Sequence, residues 1–164
     1  MKPAAQRLQG TLEALGLERR VIELAVDART SQQAADAVGV KVGQIVKSLI
    51  FTRDGRPILV LASGVNRVDE RKLGALAGGR ISRADADTVR AATGFAIGGV
   101  PPVGHATALD TYIDEDLLHH EVLYAAGGVP ECVFPLSPDE LVRITGGRVA
   151  DLKQASQVSQ EGTR

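Results

Sequence analysis

Lys47 stands in Gln44-Ile45-Val46-Lys47-Ser48-Leu49-Ile50-Phe51, a run in which most other side chains are apolar. An ammonium taken out of water without compensation costs several kcal/mol, so a buried lysine is paired, shifted in pKa or used in chemistry. In strand geometry Lys47 shares a face with Leu49 and Phe51, and Val46, Ser48 and Ile50 take the other. Either face brings the lysine into or beside apolar surroundings. The alternative is a strand-edge lysine whose stem lies on apolar surface while its head reaches water.

The loop Thr93-Gly94-Phe95-Ala96-Ile97-Gly98-Gly99-Val100-Pro101-Pro102-Val103-Gly104-His105 is the second segment with chemical content. Its glycines have neither dinucleotide-binding nor Walker spacing, which excludes those nucleotide fingerprints. Gly98-Gly99 removes side chains where backbone can face a ligand, and Pro101-Pro102 stiffens the stretch after it. Rigid backbone with open N–H groups suits an oxyanion or a carbonyl. A well-packed crossover loop explains the same composition.

A third segment, Ala62-Ser63-Gly64-Val65-Asn66-Arg67-Val68-Asp69, joins an apolar strand to a helix. Asn66 and Arg67 suit a polar ligand, a surface salt bridge is the other reading of Arg67, and Asp69 reads as a helix cap. Other catalytic signatures are missing. His105 ends a loop, and His119 and His120 sit among acidic residues without metal-ligand spacing, so no metal is assigned. Ser48, Ser63 and Ser82 lack a nucleophile-elbow context. The one cysteine, Cys132, excludes an internal disulfide and reads as a small core residue.

These residues need elements to hold them. Leu8, Leu12 and Leu15 make Ala4–Leu15 an amphipathic helix, and Val21–Val26 alternates like a strand. Thr30 or Ser31 caps a helix over Gln32–Val38. Ile45–Thr52 and Pro57–Ala62 flank Arg53-Asp54-Gly55-Arg56, a strong hairpin signal. Helices are expected at Asp69–Ala77, at Asp85–Ala92 and after Ser137-Pro138-Asp139-Glu140. Short strands are expected at Ile81, Ala108–Ile113, Glu121–Ala126 and Glu131–Pro135, with a helical turn at Asp114–Leu118. Intermingled helices and strands with one clear hairpin predict an α/β (α+β) fold on a mixed, largely antiparallel sheet. One domain is expected over residues 1–152, with a polar, frayed tail over 153–164.

The 164 residues suffice for one sizeable core, built from aliphatic residues because aromatics are 3% and Trp is absent. No stretch approaches the ~18 apolar residues of a membrane span, and the first ten residues lack a signal-peptide core, so the expected location is cytoplasmic, with no membrane partner. The net charge of −1 gives no global case for nucleic acid. Its distribution is uneven: between Arg90 and Arg143 there is no Lys or Arg, while Arg53, Arg56, Arg67, Arg71, Lys72, Arg80, Arg83 and Arg90 gather earlier. That cluster is either a solvated surface or a phosphate-binding face.

Lys47 in Val-Lys-Ser-Leu-Ile-Phe, the run from Ser63 to Leu73, the Thr93–His105 loop, Tyr124-Ala125-Ala126-Gly127-Gly128-Val129-Pro130-Glu131-Cys132 and Thr145-Gly146-Gly147 together resemble the YbaK/ProX family. These are the prolyl-tRNA-synthetase-associated editing domains and their free-standing relatives, and the match runs from about Thr30 to Asp151 with the motifs in family order. The resemblance implies a mainly antiparallel sheet curled into a partial barrel. It also implies a deacylase that hydrolyses mischarged aminoacyl-tRNA in trans, without metal or other cofactor. The family lysine falls on Lys47, at the tRNA 3′ end, and the family glycine loop on Gly98 and Gly99, whose backbone would hold the aminoacyl group or the attacking water. The terminal ribose hydroxyl of the substrate would help to activate that water. Ser48, Ser63, Asn66, Arg67, Ile97, Pro101, His105, Ala126 and Gly127 complete the expected substrate-binding set.

One departure stands out. Ala126 occupies a place where some members carry Ser or His, so their amino-acid preference does not transfer. The expected substrate carries a small amino acid (alanyl, cysteinyl, seryl or threonyl) on tRNA-Pro or a related tRNA. A synthetase is a second candidate partner, and a monomer or weak homodimer is expected. Two other readings stay open: a non-catalytic nucleotide- or protein-binding module, and a hydrolase of small aminoacyl esters.

Overall fold

The computed structural model describes residues 1–26 and 28–155. The hairpin is its spine. β2 (Ile45–Arg53) and β3 (Arg56–Ser63) pair antiparallel along their whole length, from Val46 opposite Ser63 to Arg53 opposite Arg56. Asp54 and Gly55 both have positive φ, 51° and 83°, as the two-residue turn matching strand twist requires.

Around this pair lie β1 (Ile22–Glu23), β4 (Ile81–Arg83), β5 (Thr111–Asp114), β6 (Leu123–Ala126), β7 (Cys132–Leu136) and β8 (Arg148–Ala150). The sheet order is β1-β7-β6-β2-β3-β5-β8, with β4 joined to β2. Four pairings are antiparallel and three parallel, and β1 does not meet β8, so the sheet is mixed and open. This is the expected α/β class and partial barrel. Five α-helices accompany it among the described residues: α1 (Pro3–Ala14), α2 (Ser31–Val38), α3 (Glu70–Ala77), α4 (Ala86–Thr93) and α5 (Pro138–Thr145).

Strand alternation sorts the core into two layers. Val46, Ile50, Leu59 and Leu61 face Leu8 and Leu12 of α1, Val89 of α4 and Leu141 of α5. Phe51, Ile58, Val60 and Ala62 face Leu73 of α3, Val68 and Leu152. Helix starts obey local chemistry: Thr30 with Gln33 and Ser137 with Glu140 form capping boxes, while Asp69 and Asp85 accept from first-turn amides.

The structure departs from the sequence expectations at three places. The first strand shrinks to Ile22–Glu23. β8 carries no alternating apolar signal, since Arg148 and Val149 are exposed, and it exists because β5 offers a parallel edge. Lys153 and Gln154 are not frayed: Val68 bridges Lys153, Asp69 N–H donates to Leu152 O, and Gln154 N–H donates to Arg67 O. The remaining tail, residues 156–164, lies outside the described residues. No described helix is long and apolar enough to cross a membrane.

Leu152, 1% exposed, anchors this C-terminal strap beneath Val68. Leu152→Ala is expected to lower the unfolding free energy by about 2–5 kcal/mol. Urea denaturation monitored by circular dichroism would test this, and a loss below ~1 kcal/mol would show that the strap adds little to the core.

Candidate active site

β2 is fully paired on its β3 edge but not on the other. β6 covers Ile45 and Val46, β4 begins at Phe51, and no strand lies beside Lys47–Leu49. Gly64 N–H donates to Ile45 O on the β3 side, and Ala84 N–H donates to Ile50 O on the other side. In an antiparallel ladder each residue directs its N–H and C=O to the same edge, alternating along the strand. The peptide groups of Ser48 therefore point into the gap.

A cavity of about 280 Å³ opens there. Its floor is β2 from Ile45 to Leu49. One wall is Thr30, Ser31 and Ala34 at the start of α2, and another is Tyr124, Ala125 and Ala126 of β6 with Pro130, Cys132 and Val133. Ile97, Gly98 and Val100 of the glycine loop form the rim. The lining is mostly apolar with few polar groups, and the size sits at the small end of ligand pockets.

Lys47 borders the cavity half-buried, on the same face as Ala62 and Phe51. Its Nζ donates to the Asn66 carbonyl at 2.6 Å. Burial pushes its pKa below the ordinary lysine value, and the Arg67 and Arg83 charges add to that, while Asp114 opposes them. The sequence left burial and edge solvation open; the structure places the ammonium between them, desolvated but beside an opening. Ser48, on the opposite face, carries a hydroxyl buried against the cavity with no hydrogen-bond partner among the described residues.

The other expected residues divide. Ile97 (58% exposed), Gly98 and Ala126 line the cavity with Lys47 and Ser48. Gly99 does not. Its N–H donates to Ala96 O, and a Cβ there would meet Val129 Cα at 2.8 Å and Gly128 O at 2.9 Å, so it seats the rim on the β6–β7 loop. Gly127 donates to Cys132 O behind the same wall. Ser63 is buried, its hydroxyl donating to Gly43 O and its N–H to Asp114. The Asn66 amide is held by Asp114 and Asp116 at 2.8 and 2.9 Å. Arg67 is exposed near Lys47. Pro101 is buried, and its carbonyl accepts from His105 Nε2 at 2.7 Å away from the cavity. Burial lowers the His105 pKa, partly offset by that bond.

Three parts of the site were not expected from sequence. Thr30 and Ser31 were legible only as caps. Cys132, read as core, is core and cavity wall at once. Asp114, 1% exposed, was read only as the start of a helical turn. Among the described residues no group of three His, Cys, Asp or Glu is arranged to hold a metal ion.

A family model described as the aminoacyl-tRNA editing domain matches residues 25–144, which contain every cavity-lining residue. The chain belongs to the aminoacyl-tRNA editing domain family. This editing domain is similar to YwhH of Bacillus subtilis, an uncharacterized protein, at 32% identity over 133 residues, 80% of this chain and 85% of that one. It is also similar to EbsC of Enterococcus faecalis, named as a candidate Cys-tRNA(Pro)/Cys-tRNA(Cys) deacylase, at 23% identity over 77% of this chain and 78% of that one. A solved structure described as a candidate trans-editing enzyme for prolyl-tRNA synthetase superposes with a TM-score of 0.91 at 50% identity, covering 94% of this chain and 99% of the other. The YbaK/ProX resemblance read from the motifs is thereby established.

The backbone contact at Gly99 has a mechanical consequence. Gly99→Ala is expected to cost about 1–3 kcal/mol, because backbone rather than a flexible side chain must yield. Chemical denaturation would measure it, and wild-type stability would mean that the rim moves aside without strain.

Proposed function

We propose that this editing domain is an aminoacyl-tRNA deacylase acting in trans, and that the cavity at the open edge of β2 receives the aminoacyl ester at the tRNA 3′ end. One observation carries the reading. Lys47, with a half-buried ammonium, and Ser48, with a peptide N–H at the strand gap and an unpartnered hydroxyl, both line a small, mostly apolar cavity.

Water adds to the ester carbonyl carbon, the bond from that carbon to the ribose oxygen breaks, and the proton released by water ends on that oxygen. The products are a free amino acid and a tRNA with its hydroxyl restored. No His, Asp or Glu lines the described cavity, which agrees with the family resemblance, under which the neighbouring ribose hydroxyl of the substrate would help to activate the water. The protein contributes position and charge. Lys47 holds the tRNA end, and the Ser48 N–H and hydroxyl hydrogen-bond the acyl group. Such preorganisation supplies much of a rate enhancement without a protein nucleophile.

Alanine at 125 and 126 and Cys132 keep the acyl wall small and apolar. An apolar pocket separates side chains differing by one methylene by only about 1–3 kcal/mol, so exclusion by size is the means available. The substrate class is a small amino acid, with tRNA-Pro or a related tRNA as carrier. Within the run Arg67, Arg71 and Lys72, the two arginines are exposed, whereas Lys72 is engaged by Asp151 and the Lys153 carbonyl.

Purified protein incubated with tRNAs charged with different amino acids, alongside free aminoacyl esters, tests the reading. Deacylation of one or more small aminoacyl-tRNAs is expected. Hydrolysis of esters without preference for tRNA would favour a small-ester hydrolase, and no turnover would favour a binding module. Lys47→Ala should lower deacylation by roughly 10²–10³-fold with the fold intact; full activity would overturn the role of the lysine. Replacing Arg67 and Arg71 with Ala should weaken tRNA binding and flatten its salt dependence, whereas an unchanged slope would move the tRNA face elsewhere.

A further inference from the structure

Asp114 is a buried carboxylate that the proposed reaction does not use. At 1% exposure it must be hydrogen-bonded to be tolerated, and it is. Its oxygens accept from Ser63 N–H at 3.0 Å, Asn66 Nδ2 at 2.8 Å and Asp116 N–H at 2.9 Å. The first two donors are the ends of one turn, closed by Asn66 N–H donating to Ser63 O. The carbonyl of Asn66 is the acceptor of the Lys47 ammonium. Asp116 takes a further bond from the Asn66 amide and is itself paired with Lys153 at 2.7 Å.

We propose that Asp114 and Asn66 are positioning residues for Lys47: the buried carboxylate fixes the turn Ser63–Asn66, and the turn carbonyl aims the ammonium at the cavity. The catalytic consequence rests on the deacylase reading, but the physical coupling does not. A lysine side chain has many rotamers to choose from, and a fixed carbonyl selects one orientation in advance. The ammonium has three protons, one spent on Asn66, so the others remain for a ligand. Charge works with geometry. Arg67 on the turn side and Arg83 on β4 press Lys47 toward deprotonation, and Asp114 on β5 is the charge opposing them.

The test monitors Lys47 directly, by NMR titration of its side-chain nitrogen in the full chain, beside deacylation kinetics against pH. Asp114→Asn is expected to lower the Lys47 pKa, because the charge favouring the ammonium is gone. The alkaline limb of kcat moves to lower pH with it. Asn66→Ala keeps the backbone carbonyl but loses the side-chain anchors to Asp114 and Asp116, so it is expected to weaken the protection of the Lys47 ammonium from solvent exchange and to reduce kcat about 10- to 100-fold, with KM within twofold. Asp110→Asn, which breaks a remote pair with Arg53, is the control that leaves the titration in place. An unmoved Lys47 titration in folded Asp114→Asn, or unchanged exchange in Asn66→Ala, overturns the proposal. Should Asp114→Asn fail to fold, Asn66→Ala decides alone. If the variants shift Lys47 as expected while the wild type deacylates nothing, the positioning stands and the deacylase reading falls.

Discussion

A backbone N–H and C=O must be paired or meet solvent or a ligand, and β2 leaves one pair of such groups to a cavity. The interruption at Ser48 organises much of the molecule. β6 runs beside β2 for only two residues before Gly127 and Gly128 turn it away toward Cys132 and the start of α1. β4 reaches β2 only at Phe51. The space between is rimmed by loop, not strand: the glycine segment at Ile97 and Gly98, braced by Gly99 against the backbone of Gly128 and Val129. A continuous ladder would have satisfied Ser48 and closed the cavity. The pocket is thus a sheet edge held open by loops that can approach closely because they lack side chains.

Adjacent residues at this break serve different layers. Lys47 belongs to the face shared with Phe51, Val60 and Ala62, where its cost of desolvation is met by a carbonyl and a nearby buried carboxylate. Ser48 belongs to the face of Val46, Ile50 and Leu61, where no group among the described residues compensates its hydroxyl. A buried hydroxyl without a partner costs about 1–3 kcal/mol, a debit the fold carries at a place that faces a cavity. If the cavity takes the substrate as proposed, stability and ligand binding pull in opposite directions there, as they do where polar groups are kept ready for a substrate.

Much of this was legible in the chain, for local reasons. Asp54-Gly55 can form a tight hairpin turn, Thr30 with Gln33 and Ser137 with Glu140 can form capping boxes, and a lysine amid strand-forming apolar residues marks a conflict that tertiary structure must resolve. What escaped is long-range. The wall formed by Thr30, Ser31 and Ala34 meets Tyr124–Cys132 across about a hundred residues, and no local pattern announces that meeting. Asp114 looks like any acid beginning a turn, and it does cap the 3₁₀ turn after β5. Its second task, clamping Ser63 and Asn66, exists only because β3 and β5 run parallel in that register. Ser63 and Asn66 were picked out for ligand binding, and their polar groups are engaged by the scaffold that carries Lys47.

The charge balance shows the same division between local and global. A net charge of −1 argues against a broad nucleic-acid surface, and a deacylase needs none. It must hold one end of a tRNA, so the quantity that matters is the sign of the potential within a Debye length of the cavity, about 8 Å at physiological ionic strength. Around Lys47 the neighbours that register electrostatically are Arg67, Arg83 and Asp114. The arginines are exposed and the aspartate is buried, so the outward face of this group is positive although its interior carries a compensating charge. The buried carboxylate thus favours the charged form of Lys47 without presenting a negative surface outward. An exposed acid in the same place would be screened by water, would stabilise the ammonium less and would, on the proposed reading, repel the tRNA phosphates.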